Sequence, residues 1–329
     1  MSIIKVQGLT KTYGAVTAVD HISFEVERGT MLGFLGINGA GKTTAINMLS
    51  TLLKPDGGSA RLCGYTVGQN DMEIRRKIGI VYQQNCLDDM LSVRENLLCR
   101  GILHGISKKQ AVRQLRYLSE ILNLDEILKK KYRMLSGGQK RRCEIAAALM
   151  HTPQILFLDE PTTGLDPATR RDVWTTIEEL RKNEKITVFL TTHYMEEAAG
   201  ADKIIIMDHG KIVVSGTTFE LKEKYAMDKL RLYFSDSKFE AIRPFLDFGL
   251  PVKRLEHKGV EILLKSTMDA IPVLQALKGK MDVINGKSEI NRKNEINGMY
   301  QMNGIDGIEV ILGNMDDVFL NAVGYELED

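Results

Sequence analysis

Apolar and polar residues alternate through "IIKVQGL" and "HISFEVERG", as they do in half-buried strands that pair antiparallel. "TMLGFLG" breaks that rhythm. It is almost continuously apolar, which marks a strand buried on both faces. It runs through a glycine-rich loop into the helical stretch "KTTAINMLSTLL", which Pro55 and the Gly57-Gly58 pair bring to a stop. From about Ser92 to Met150 the spacing becomes helical, with Ser107 placed to cap "KKQAVRQLRYLSEIL". "QILFLDE" and "ITVFLTTH" then return as buried strands, separated by the helix "ATRRDVWTTIEELRK". This βα alternation predicts an α/β fold with a parallel, doubly wound sheet, an antiparallel β subdomain at its N-terminus and a helical insert over residues 88–150.

After Tyr225 the character changes. "KLRLYFS", "SKFEAIRPFLDFG", "GVEILLKS", "DAIPVLQALKG" and "GIEVIL" predict a small α+β domain, dividing the chain at 1–225 and 226–329. Within it, residues 285–306 are rich in Asn, Gly and charge and read as a long loop.

Three motifs carry chemistry. "GINGAGKTT" fits G-x-x-x-x-G-K-[ST] from Gly36 to Thr43, between a buried strand and a helix. In that setting the backbone N–H groups of the loop wrap phosphates, Lys42 reaches the β- and γ-phosphates and the Thr43 hydroxyl ligates Mg²⁺. A plain glycine turn is the competing reading, and it does not require the lysine or the threonine. "QILFLDEPTTGLDP" ends a strand in two adjacent carboxylates. Asp159 is placed to hold Mg²⁺ through water, and Glu160 to deprotonate the water that attacks the γ-phosphate. His193 closes the next buried strand and reaches the same crevice, at the carboxyl ends of parallel strands.

"LSGGQKRRCEIAAALM" opens a helix with Ser136 and Gln139 at capping-box spacing. A cap has no use for Gly137 and Gly138, which weaken a first turn by about 1 kcal/mol each relative to alanine. A helix N-terminus stripped of side chains is suited to an anion.

Bulk properties narrow the setting. Lys plus Arg is 44 and Asp plus Glu is 43, a formal net charge of +1, so no bulk nucleic-acid binding is expected. The basic clusters "KKKYR" at 129–133 and "KRR" at 140–142 are read as solvated helix faces rather than RNA contacts. Four scattered cysteines, Cys63, Cys86, Cys99 and Cys143, suggest neither a disulfide framework nor a zinc site and fit a reducing compartment. No signal peptide is visible, and runs such as "ITVFL" fall far below the ~20 residues that span a bilayer. A soluble chain is expected. If it serves a membrane, another polypeptide does the crossing.

Over residues 1–220 the motifs resemble, in order, those of the ATPase subunit of an ATP-binding cassette (ABC) transporter, with a P-loop NTPase core. Tyr13 in "LTKTYG" is similar to the aromatic that stacks on adenine. Gly36, Asn38, Gly39, Ala40, Gly41, Lys42, Thr43 and Thr44 belong to the Walker A loop. Gln83 matches the Q-loop glutamine, a sensor of Mg²⁺ and the γ-phosphate. "LSGGQ" is the signature, "ILFLDE" the Walker B strand, "TGLD" with Asp166 the D-loop and His193 the switch histidine. The resemblance implies an ATPase with catalytic Lys42, Glu160 and His193. It also implies a head-to-tail dimer in which Ser136, Gly137, Gly138, Gln139 and Asp166 act in trans on the ATP held by the other chain.

"THYMEEA" and the terminal "NMDDVFLNAVG" further resemble drug-resistance exporters, although Val318, Phe319 and Ala322 serve a core equally well. The expected partners are then an integral membrane transport subunit and a second copy of the chain, at the cytoplasmic face of the membrane. The alternative is a soluble ABC ATPase of translation or DNA repair. Such proteins resemble tandem cassettes or carry coiled-coil inserts, and neither feature is present here.

Overall fold

The computed structural model describes residues 2–234, 249–255, 259–285 and 305–324. The chain divides into two compact units, Met1–Thr218 and Phe219–Asp329.

In the first unit the alternating segments form strands β1 (Ser2–Tyr13) and β2 (Val16–Glu27), paired antiparallel. The continuous apolar run forms β3 (Met31–Leu35), buried at every residue, and the phosphate loop leads from it into α1 (Lys42–Leu49). β4 (Gly57–Leu62) and β5 (Tyr65–Thr66) complete an antiparallel sheet of order β2-β1-β4-β5. A short helix, α2 (Asp71–Arg75), precedes β6 (Ile78–Val81).

The insert follows as α3 (Val93–Leu103), α4 (Lys108–Ile121) and α5 (Gly137–Leu149). Ser92, Ser107 and Ser136 each close a reciprocal capping box with the residue three positions on, which fixes where the three helices begin. The chain then lays down β7 (Ile155–Asp159), α6 (Pro167–Glu184), β8 (Thr187–Thr192), β9 (Lys203–Asp208) and β10 (Lys211–Gly216). The second sheet has the order β10-β9-β3-β8-β7-β6, parallel from β9 to β6 with β10 antiparallel at the edge.

Four phenylalanines lock the two sheets together. Phe24 of β2 meets Phe34 of β3 at 5.6 Å between ring centroids, Phe34 meets Phe189 of β8 at 5.1 Å, and Phe189 meets Phe157 of β7 at 5.2 Å. Such tilted pairs contribute roughly 0.5–1.5 kcal/mol each beyond their burial. They hold β3, β8 and β7 in register, so that the carboxyl ends of these three strands stand side by side.

The second unit opens with α7 (Thr218–Tyr225), whose first residue ends the first unit. β11 (Asp228–Tyr233), β12 (Val252–Leu255), β13 (Gly259–Leu264), α8 (Ala270–Asn285), β14 (Gly307–Ile311) and α9 (Met315–Val323) form its described part. The sheet is antiparallel, in the order β12-β13-β11-β14. Leu230, Leu232, Val260, Ile262 and Leu264 from the strands pack with Ala270, Val273 and Leu277 of α8. Val318 and Phe319 of α9 are buried, whereas Ala322 is only partly so. Most of "SKFEAIRPFLDFG" and residues 286–304 of the Asn-rich segment lie outside the described residues.

Two local features of the first unit give measurable expectations. A Cβ at Gly138 would stand 2.2 Å from the Thr169 methyl of α6, so the close approach of α5 to α6 requires glycine there. Gly138→Ala should therefore destabilise the protein by about 1–3 kcal/mol, the scale of overpacking, despite the higher helix propensity of alanine. Adding Thr169→Ser removes the methyl, keeps the hydroxyl, and should restore most of the loss in urea unfolding.

The rings of His104 and His151 stack at 3.8 Å, only 2° from parallel. The His151 Nε2 lies 2.9 Å from the Ile78 carbonyl. Burial, with His104 beside it, pushes the His151 pKa down to about 4 from an ordinary 6.5. The His104 pKa is lowered as well, by burial and then by Arg100. The unfolded chain thus binds more protons than the folded one. Stability is complete above pH 6.5 and falls as the pH approaches 4, by roughly 3 kcal/mol for His151 alone. Urea unfolding at pH 7 and pH 5 should show this slope in the wild type and a shallower one in His151→Gln.

Candidate active site

Three strand ends and one loop build the crevice. Its walls, about 530 Å³ in volume, are formed by Ala18, Asn38, Gly39, Gly41, Lys42, Thr43, Thr44, Gln83, Glu160, Thr163 and His193. The loop from Gly36 to Gly41 depends on its glycines. Gly41 has φ +102°, and a Cβ there would meet the Ala18 carbonyl at 2.2 Å. A Cβ at Gly36 would meet the Met207 carbonyl at 2.6 Å and the Ala40 methyl at 2.9 Å. The loop is therefore wedged between β2 and β9, with the N-terminus of α1 behind it.

Lys42, the first residue of α1, is 5% exposed. Its Nζ donates to the carbonyls of Gly36 at 2.7 Å and Ile37 at 3.1 Å, and stands 3.8 Å from Glu160 Oε1. Burial pushes the Lys42 pKa down, against the pull of Glu160 and Asp159. Asp159 is buried at the end of β7, where burial raises its pKa and a 2.6 Å hydrogen bond from the Thr191 hydroxyl opposes the rise. The Thr43 hydroxyl nearby opposes the rise more weakly.

Glu160 has φ +46°, in the left-handed region that a glutamate rarely adopts. Strain of this kind costs of order 1–3 kcal/mol and persists where the surroundings enforce it. Here the Glu160 N–H is held by the Thr191 carbonyl at 3.0 Å, which turns the side chain off the strand and into the crevice. Its Oε2 accepts from Gln83 Nε2 at 3.3 Å and from the Thr163 hydroxyl at 3.1 Å. His193 Nδ1 lies 3.1 Å from the same oxygen, though not aligned for a hydrogen bond. One carboxylate thus faces an ammonium, an amide, a hydroxyl and an imidazole.

The fold does not gather every residue singled out in the sequence. Tyr13 is half exposed at the end of β1, opposite Val16, and is not among the residues lining the crevice. Ser136, Gly137, Gly138 and Gln139 start α5 and do not line it either. The Ser136 hydroxyl accepts from the Gln139 N–H at 3.3 Å, and the Gln139 side chain accepts from the Ser136 N–H at 3.1 Å. Asp166 caps α6 by accepting from the N–H groups of Ala168 and Thr169, both at 3.1 Å.

The sequence reading missed two charges that place Gln83. "KRR" at 140–142 is not simply a solvated face, because Arg141 is 5% exposed. It donates to the carbonyls of Tyr82 at 2.6 Å and Gln83 at 3.3 Å and reaches that of Glu160 at 3.5 Å. One turn on, Glu144 accepts from the N–H groups of Cys86 and Leu87 and from the Tyr132 hydroxyl. α5 therefore grips residues 82–87 at both ends. A charged residue inside the apolar run "CEIAAALM" was the available signal.

Among the described residues no helix is long and apolar enough to cross a membrane, and no three His, Cys, Asp or Glu side chains are grouped to hold a metal unaided. The Thr43 hydroxyl, the Asp159 carboxylate and the Gln83 amide oxygen nonetheless supply the hard oxygen donors that suit Mg²⁺ when substrate oxygens complete the shell.

Residues 19–163 match the family model described as ABC transporter. The doxorubicin resistance ATP-binding protein DrrA of Mycobacterium tuberculosis is 45% identical over 224 residues, 67% of each chain. The daunorubicin resistance ATP-binding protein DrrA3 of Streptomyces coeruleorubidus is 36% identical and spans 98% of this chain and 96% of its own. The Nod factor export ATP-binding protein I of Ralstonia nicotianae is 34% identical, over 99% of this chain and 95% of its own. A dimeric ATP-binding cassette in a post-hydrolysis state, bound to ADP and Pi, superposes with a TM-score of 0.60 at 27% identity, covering 65% of this chain and 98% of its own. The chain belongs to the ATP-binding proteins of the ABC transporter family.

Proposed function

We propose that this chain is the ATP-hydrolysing subunit of an exporter of the drug-resistance type, driving transport through a separate membrane subunit. The observation that carries the reading is the Glu160 carboxylate, strained into the crevice between Lys42, Gln83, Thr163 and His193. The loop N–H groups and Lys42 bind the triphosphate. Glu160 accepts the proton of the attacking water, and His193 and Gln83 orient the carboxylate and that water about the γ-phosphate. Mg²⁺, held by Thr43, Gln83 and, through water, Asp159, would neutralise phosphate charge when bound.

The names of the relatives, resistance and export proteins, favour this reading over a role in translation or DNA repair. It puts the chain at the cytoplasmic face of a membrane, with residues 226–329 as an accessory or regulatory domain and no nucleic-acid partner. Two copies act head to tail, each lending its "LSGGQ" segment and Asp166 to the other's ATP. A similar cassette of known structure is dimeric, which supports the pairing of two copies.

Glu160→Gln keeps size and hydrogen bonding but cannot take a proton. It should bind ATP normally and release phosphate roughly 10²–10⁴ times more slowly. Near-normal release would remove Glu160 from the base role. The trans arrangement has its own test, mixing Glu160→Gln with Gly137→Asp, whose carboxylate would repel the partner's γ-phosphate. Random exchange makes half the dimers mixed, with one intact site in two, so activity should recover to roughly a quarter of wild type. A signature acting within its own chain gives no recovery. Purified mixed dimers carrying both substitutions in one chain and none in the other provide the control: they should be inactive if the signature acts in trans and active if it does not.

A further inference from the structure

A second buried carboxylate lies behind the crevice. Glu197 belongs to the 3-10 turn Met195–Gly200 and is 8% exposed. Its Oε1 accepts from the Thr162 hydroxyl, and its Oε2 accepts from the Thr192 hydroxyl at 2.6 Å. Arg170 Nε of α6 stands 3.7 Å from Oε1, while its guanidinium lies over the Tyr194 ring at 4.1 Å. The His193 ring is itself 4.1 Å from that of Tyr194.

The Thr192 hydroxyl has two tasks. It accepts the Tyr194 N–H at 3.0 Å and commits its own proton to Glu197. The residues on either side of His193 are thereby joined by one hydroxyl, and the direction of that hydroxyl is set by the carboxylate. Thr162 is two residues past Glu160, and Arg170 is one turn past Asp166.

We propose that Glu197 is a positioning residue for hydrolysis, the common acceptor that fixes His193 relative to Glu160 and ties both to the helix that Asp166 caps. This rests on the roles given to His193 and Glu160 above. The acceptor has to be a carboxylate. Two hydroxyl protons and a guanidinium converge on its oxygens, and an amide supplies only one acceptor atom. If a glutamine turned its NH₂ toward Thr192, that hydroxyl would have to accept twice and leave its own proton unpaired. Turned the other way, the NH₂ would face Arg170. Either orientation releases one of the two tethers.

The test uses the full-length chain, with phosphate release, ATP binding and thermal unfolding read in parallel. Glu197→Gln should lower kcat about tenfold or more while KM for ATP stays within roughly threefold, the pattern of an interaction that matters beyond ground-state binding. Thr192→Val, close in size but without the hydroxyl, should reproduce the defect, and Thr192→Ser should rescue it. Arg170→Gln added to Glu197→Gln should cost little more than Glu197→Gln alone, because the two act as one unit.

Wild-type kcat in Glu197→Gln overturns the proposal, as does a Thr192→Ser enzyme as impaired as Thr192→Val. If Glu197→Gln does not fold, the threonine pair decides the question. His193→Ala separates the two layers of argument. Normal turnover in that variant removes the role of His193 and the proposal with it. Loss of turnover there, beside an unaffected Glu197→Gln, removes the proposal alone.

Discussion

An ammonium buried in a protein has to be paired, and Lys42 is paired across the sheet. It starts the helix after β3, while its partner Glu160 ends β7, and β8 lies between those two strands. The pair can exist only because the strand order β3-β8-β7 brings the three carboxyl ends together, with His193 following the middle one. Neither charge is fully satisfied by the other at 3.8 Å; two loop carbonyls complete the lysine and three other side chains surround the carboxylate. A triphosphate entering the crevice therefore meets positive charge already fixed in place. Such pre-arranged charge needs no reorganisation during the reaction.

The buried charges on α5 tie that arrangement to the helical insert. Arg141 holds the carbonyls of Tyr82 and Gln83 and reaches that of Glu160, so a shift of the insert carries Gln83 with it. Glu144 secures the next part of the same segment through the N–H groups of Cys86 and Leu87. The insert joins the crevice through side chains bonded to backbone groups of another element. Glu197 does the comparable task on the opposite flank, joining the end of β8 to α6. The Glu160 carboxylate thus stands between two polar anchors.

Much of this could be read from the sequence, for definite reasons. Continuous apolar runs gave the strands buried on both faces, the serine capping boxes gave the starts of α4 and α5, and the glycine loop announced itself because its backbone conformation excludes other residues. What remained hidden depends on distance through space. The motifs already assign Lys42, Gln83, Glu160 and His193 to one crevice, but the contacts among them follow from strand order, which periodicity does not encode. Arg141 was misread because a charged residue on a helix is ordinarily solvated, and here carbonyls of another element take the place of water. Thr191 and Thr192, two polar residues closing an apolar strand, were visible, but their partners Asp159 and Glu197 were not.

The pair Gly137-Gly138 shows how the two kinds of information divide. In sequence both look like side chains removed to expose a helix N-terminus. In the fold they differ. A Cβ at Gly138 would overlap the Thr169 methyl at 2.2 Å, so the packing of α5 against α6 within one chain is reason enough for that glycine. A Cβ at Gly137 meets only the tip of Leu165, at 3.3 Å, which a rotation of that flexible side chain relieves. The chain's own packing therefore requires the second glycine and not the first. The case for a phosphate brought by another copy of the chain rests on Gly137, on the unpaired N–H groups of the first turn and on Ser136 beside them.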